Sequence, residues 1–105
     1  MAVAVNVNGV VSDGSTASVP VFDHGFLYGE GVYETLRTYN GEPFLFDRHM
    51  ARLRASAARI RLDVPMTDAE YLARVHATMR AAGLGRLPDG TTADAYVRIL
   101  HTRGV

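Results

Sequence analysis

The chain has 105 residues, a formal net charge of zero at pH 7 and no cysteine. That length predicts a single domain, neutrality argues against a nucleic-acid partner, and the missing cysteine excludes disulfides and thiolate metal sites and points to the cytoplasm. No apolar run nears the roughly 20 residues needed to cross a bilayer, and the amino-terminal stretch MAVAVNVNGVV lacks the basic residue of a signal peptide.

Val3, Val5 and Val7 alternate with small or polar residues, Asn8-Gly9 follows, and Val10 and Val11 resume the pattern. This predicts a β-hairpin closed by a type I′ turn. SDGSTASVP reads as a polar connection. In VFDHGFLYGEGVYETLRTYNGEPF, Gly25, Gly29 and Gly31 fall within seven residues. A strand is expected near Val32–Tyr39, Asn40-Gly41 turns the chain, and PFLF returns as a second strand. Asp47 is expected to cap a helix running to about Ile60, with Met50, Leu53, Ala57 and Ile60 on its apolar face. Thr67 to Glu70 is a capping box that opens a second helix. Tyr71, Leu72, Val75, Met79 and Ala82 form its stripe and Gly83 closes it. GLGRLPDGTT reads as a loop and ADAYVRILHTRG as a last strand. The order predicts a small two-layer α+β domain, an antiparallel sheet packed against two helices. A strand running straight into the last residues also predicts that the chain is part of a longer protein.

All eleven basic residues are arginine. No side chain can therefore form a Schiff base by the usual lysine route, and there is no P-loop lysine. Gly29-Glu30-Gly31 resembles a phosphate loop only superficially, because a strand follows it and not a helix, so a tight turn is the preferred reading. Asp23-His24 with Ser12, Ser15 or Ser18 lacks a nucleophile elbow. His24, Glu30, Glu34 and His49 lack metal-ligand spacing, and no metal is expected. Arg52 differs from Arg48, Arg54, Arg59 and Arg61. It adjoins Leu53 at the edge of the apolar stripe, where a partly desolvated guanidinium calls for an anion. Tyr96 and Arg98 share one face of the last strand, and Tyr33 and Arg37 share one face of the strand after the glycines. Such pairs suit a carboxylate beside an apolar wall, or else exposed arginines beside partly buried tyrosines.

Three separated stretches, VFDHGFLYGEGVYETLRTYNGEPF, DRHMARLRASA and AYVRILHTRGV, together resemble the N-terminal domain of the class IV, fold type IV aminotransferases. That family depends on pyridoxal 5′-phosphate and includes branched-chain and D-amino acid aminotransferases, (R)-selective amine transaminases and aminodeoxychorismate lyases. The resemblance implies that Arg52, in HMARL, grips the cofactor phosphate. It implies that Tyr28, Tyr33, Arg37, Tyr96 and Arg98 form the substrate pocket for an amino acid and a 2-oxo acid, with Tyr28 in some members reaching a neighbouring subunit of a homo-oligomer. The cofactor-bearing lysine of the family lies in a C-terminal domain absent from this sequence, so this chain alone is expected to be inactive. YETLR departs from the branched-chain FEGIR while YVR agrees with it. The expected activity is transamination of an aliphatic, branched-chain amino acid with 2-oxoglutarate. A D-amino acid enzyme or a lyase of the same family is the alternative, and a non-catalytic binding module is the alternative of another class.

Overall fold

The structure, a computed structural model, describes residues 3–105; the first two residues of the alternating amino-terminal stretch lie outside them. The chain runs β1 (Val5–Val7), β2 (Val10–Ser12), α1 (His24–Tyr28), β3 (Gly31–Tyr39), β4 (Glu42–Pro43), α2 (Phe46–Arg59), α3 (Asp68–Ala81), β5 (Gly85–Arg86), β6 (Thr92–Ala93) and β7 (Tyr96–Thr102). The fold is α+β as expected, with three helices in place of two. The strands form a three-stranded antiparallel sheet, β4-β3-β7, and two separate hairpins, β1-β2 and β5-β6.

Both Asn-Gly turns close as expected, with φ of 53° and 90° at Asn8-Gly9 and 51° and 77° at Asn40-Gly41. Gly41 is required twice over. Its φ is positive, and a Cβ there would stand 2.9 Å from the backbone of Gly85 and Arg86. Its N–H donates to Asp94 Oδ1, which also accepts from Thr38 Oγ1, while the Ala95 N–H donates to that same threonine hydroxyl. These bonds staple the turn to the approach of β7.

The returning strand is shorter than PFLF. β4 stops at Pro43 because Leu45 takes a left-handed conformation, φ 55°, and turns the chain directly into α2. Asp47 accordingly lies inside the first turn and is not the cap; Leu45 holds the cap position without a side-chain bond. Met50, Leu53 and Ala57 are buried as expected, but Ile60 ends the helix and is exposed. The capping box of α3 is complete, with the Glu70 N–H donating to Thr67 Oγ1 at 3.1 Å and the Thr67 N–H donating to Glu70. Tyr71, Val75 and Met79 are its buried stripe, whereas Leu72 and Ala82 are only half-buried. GLGRLPDGTT is not wholly loop, since Gly85-Arg86 pairs with Thr92-Ala93.

The core lies between α2, α3 and one face of the sheet. Val32 and Leu36 of β3 and Ile99 of β7 meet Met50, Leu53, Ala57, Tyr71, Val75 and Met79. Tyr71 Oη and His101 Nδ1, 2.8 Å apart, tie α3 to β7, and burial pushes the Tyr71 phenol up. Asn6 Nδ2 donates to Thr78 Oγ1, fastening the first hairpin to α3.

Candidate active-site face

β3 alternates with period two, so Val32, Glu34, Leu36 and Thr38 point to the helices and Tyr33, Thr35, Arg37 and Tyr39 point away. The antiparallel register sets Tyr33 opposite Leu100, Thr35 opposite Arg98 and Arg37 opposite Tyr96. Paired residues in such a ladder share a face. Four of the expected substrate residues, Tyr33, Arg37, Tyr96 and Arg98, therefore stand together on one open sheet face. Leu100 and Thr35 complete it, and all six are exposed. The Arg98 guanidinium lies 4.5 Å from the centre of the Tyr33 ring, and that of Arg37 lies 4.3 Å from the Tyr39 ring. Stacking of this kind holds each cation over an aromatic face while leaving its N–H edge for a ligand. Among the described residues, no helix covers this face.

Tyr28 occupies a different element. Asp23 caps the single turn α1 by accepting from the Gly25 N–H at 2.7 Å, and left-handed Gly29 ends it. A side chain at Gly25 would collide with Thr102, whose hydroxyl donates to the same aspartate. Tyr28 is exposed at the end of this turn, its ring edge-on to His24 at 5.3 Å. Gly29-Glu30-Gly31 is then a tight turn into β3. Arg103 pins it, donating from Nε to Glu30 Oε2 at 2.6 Å and from Nη2 to the Ile60 carbonyl at 2.6 Å. That arginine holds the Glu30 carboxyl below its usual range.

Arg52 lies on the other side of the sheet from the tyrosine–arginine cluster. It is 68% exposed, more open than its place beside Leu53 suggests. Its Nε donates to both oxygens of Glu34, at 2.9 and 3.1 Å, and its Nη2 donates to Oε1 at 2.8 Å. His49 Nδ1 stands 2.7 Å from the same Oε1. Arg52 holds the Glu34 carboxyl below its usual range, with a smaller contribution from His49, and Glu34 raises Arg52 in turn. Arg54 is unlike Arg52: it binds Asp68 and the carbonyls of Val64 and Met66, bracing the connection between α2 and α3. His24 stands 3.4 Å from Glu30, so the two histidine–glutamate pairs are separate. No cluster of three or more metal-binding side chains occurs among the described residues.

Glu34 and His49 were not singled out by the sequence as partners of Arg52. One signal was available: a carboxylate at an inward position of an alternating strand must find a cation.

The guanidinium of Arg52 also bears on cofactor fit. Glu34 uses Nε and one edge of Nη2, and Nη1 has no hydrogen-bond partner among the described residues. The outer Nη1/Nη2 fork thus remains available, and such a fork matches two oxygens of a phosphate.

Residues 31–105 match the family described as amino-transferase class IV. This chain belongs to that family, and it is similar to both branched-chain and D-amino acid members of it. It is 41% identical over 101 residues to a putative branched-chain-amino-acid aminotransferase of Methanocaldococcus jannaschii, a match covering 96% of this chain and 32% of the relative. It is 35% identical over 101 residues to a D-alanine aminotransferase of Listeria monocytogenes, again covering 96% and 32%. The crystal structure of a branched-chain aminotransferase from Thermoproteus uzoniensis with norvaline superposes with a TM-score of 0.77 at 34% identity, over 95% of this chain and 33% of that one. The chain spans about a third of the length of the relatives it matches.

Proposed function

We propose that this chain supplies the N-terminal, substrate-recognising domain of a pyridoxal 5′-phosphate-dependent aminotransferase that moves the amino group of an aliphatic, branched-chain amino acid to 2-oxoglutarate. The observation that carries this reading is the open sheet face. It sets Arg37 and Arg98 among Tyr33, Tyr96 and Leu100, so cationic forks for carboxylates lie beside an apolar wall for a hydrocarbon side chain.

When bound, the cofactor supplies an electron sink for cleavage at the substrate α-carbon. The residues of this chain bind and orient. The outer fork of Arg52 takes the phosphate. Arg37 and Arg98 take carboxylate oxygens, and Tyr33, Tyr96 and Leu100 pack the aliphatic group and keep water from it. None of them is assigned proton transfer, and the lysine that the family uses is not among these 105 residues. A second domain supplies it, and Tyr28 extends toward a second subunit.

A D-amino acid enzyme is the second reading, favoured by the likeness to the Listeria D-alanine aminotransferase. A donor panel separates the two. The complete enzyme, offered 2-oxoglutarate, should transfer nitrogen from L-leucine, L-isoleucine and L-valine and leave D-alanine largely untouched. Preference for D-alanine would replace the first reading with the second. No turnover of either set, with no uptake of cofactor, would leave a binding module.

A further inference from the structure

Among the described residues Glu34 is the only buried charged side chain, 5% exposed. Strand alternation carries it inward between Val32 and Leu36, where an apolar residue would pack at no desolvation cost. Its two oxygens accept three contacts from Arg52, and Oε1 also meets His49. His49 precedes Arg52 by three residues on α2, so both reach the carboxylate from one helix face. The carboxylate is thereby fixed from two sides. It in turn grips the inner edge of a guanidinium that is otherwise two-thirds exposed.

From this geometry we propose that Glu34, steadied by His49, is a positioning residue: it locks Arg52 so that the outer Nη1/Nη2 edge is presented, already ordered, to the cofactor phosphate. The proposal rests on the reading of Arg52 as the phosphate ligand. A long arginine side chain in water samples many rotamers, and a ligand that must order it loses affinity. Glu34 removes that loss before the ligand arrives. Its like charge toward the phosphate opposes this benefit, and the opposition makes the idea testable.

The test measures dissociation constants of pyridoxamine 5′-phosphate and of pyridoxamine in the complete enzyme. The dissociation constant of pyridoxamine divided by that of pyridoxamine 5′-phosphate isolates the phosphate contribution. Arg52→Ala should lower the ratio about tenfold to a hundredfold, the size of charge-assisted bonds to one guanidinium. Glu34→Asp keeps the negative charge but shortens the reach by one methylene. It should lower the ratio by about three- to tenfold, the size of ordering one flexible side chain. The affinity for pyridoxamine itself should not change, and in the Arg52→Ala background Glu34→Asp should add nothing. Loss of both ligands in equal measure, or the same loss in both backgrounds, would make Glu34 merely structural and overturn the proposal. An unchanged ratio in Glu34→Asp beside a lowered one in Arg52→Ala would overturn the positioning role alone. An unchanged ratio in Arg52→Ala would remove the phosphate reading and the proposal with it. Should Glu34→Asp fail to fold, His49→Ala, a change at a less buried position, should lower the ratio in the same direction by a smaller factor. No change there would count against the clamp.

Discussion

The two faces of the β3–β7 ladder are made by the same residues taken alternately, yet they have opposite chemistry. The face toward α2 and α3 holds Val32, Leu36 and Ile99, all below a tenth exposed, and one ion cluster at Glu34. The outer face holds Tyr33, Arg37, Tyr96, Arg98 and Leu100 in the open. Two arginines stacked on tyrosines cost a surface little and offer a ligand much. Strand parity separates a packed face from an open one, so a substitution one residue away along β3 changes which of the two it disturbs.

Packing changes should break the symmetry most visibly. Leu53→Ala, at a side chain with no exposed surface, should cost about 2–5 kcal/mol in urea unfolding. Leu100→Ala on the outer face should stay within about 0.5 kcal/mol. A comparable cost at Leu100 would mean that the outer face is covered in solution.

Acid should act next, and on the inner face. Arg52, and less so His49, hold the folded Glu34 pKa below the ordinary glutamate value of 4.5. The stabilisation is therefore present above that value and is lost as pH falls through the lower folded one. The melting-temperature gap between the native chain and Glu34→Gln should be wide near about pH 7 and narrow toward about pH 3. A gap that widens in acid would contradict the ion cluster. Asp94, held low by the Gly41 N–H and the Thr38 hydroxyl, should add to the acid sensitivity of both proteins equally.

The smallest effect belongs to the outer face. Arg98→Ala removes a cation stacked at 4.5 Å on Tyr33, worth about 0.5–1 kcal/mol at an exposed site. Its stability loss should not exceed that, while the Michaelis constant for the acidic 2-oxo acid in the complete enzyme should rise. A large loss of stability with unchanged substrate binding would assign Arg98 to the fold.

Local rules carried much of this architecture. The Asn-Gly turns, the Thr67/Glu70 box and the parity of Tyr33, Arg37, Tyr96 and Arg98 depend on residues close together in sequence, and each formed as its pattern dictates. What was not legible depended on distant partners or on backbone choices that side chains do not advertise. Leu45 takes a left-handed φ without a glycine to announce it, and so truncated PFLF and displaced Asp47 from the cap. The single turn of α1 is held by Asp23 and by close approach to Thr102, far along the chain. β5 and β6 are two residues each, below the length at which alternation can be seen. Arg52 was expected to be partly desolvated beside Leu53, yet its side chain is 68% exposed, and its partner Glu34 comes from another element. Only the register of β3 against α2 brings the two together.

The pairing of β3 with β7 also sets an order of events for folding. Gly31 meets Thr102 and Arg37 meets Tyr96, so the longest strand of the protein finds its main neighbour only across a loop containing both large helices. During synthesis, β3, α2 and α3 are all made before β7 exists. Until then β3 has only the two-residue β4 beside it, and its free edge is open to any other extended chain. Loop closure over such a span is slow relative to the local turns and helices that precede it. The rate of refolding should thus be governed by the arrival of Tyr96–Thr102. Its loss by truncation should leave a species in which Glu34 and the apolar row of β3 lie against helices but lack their second strand, a collapsed state prone to self-association.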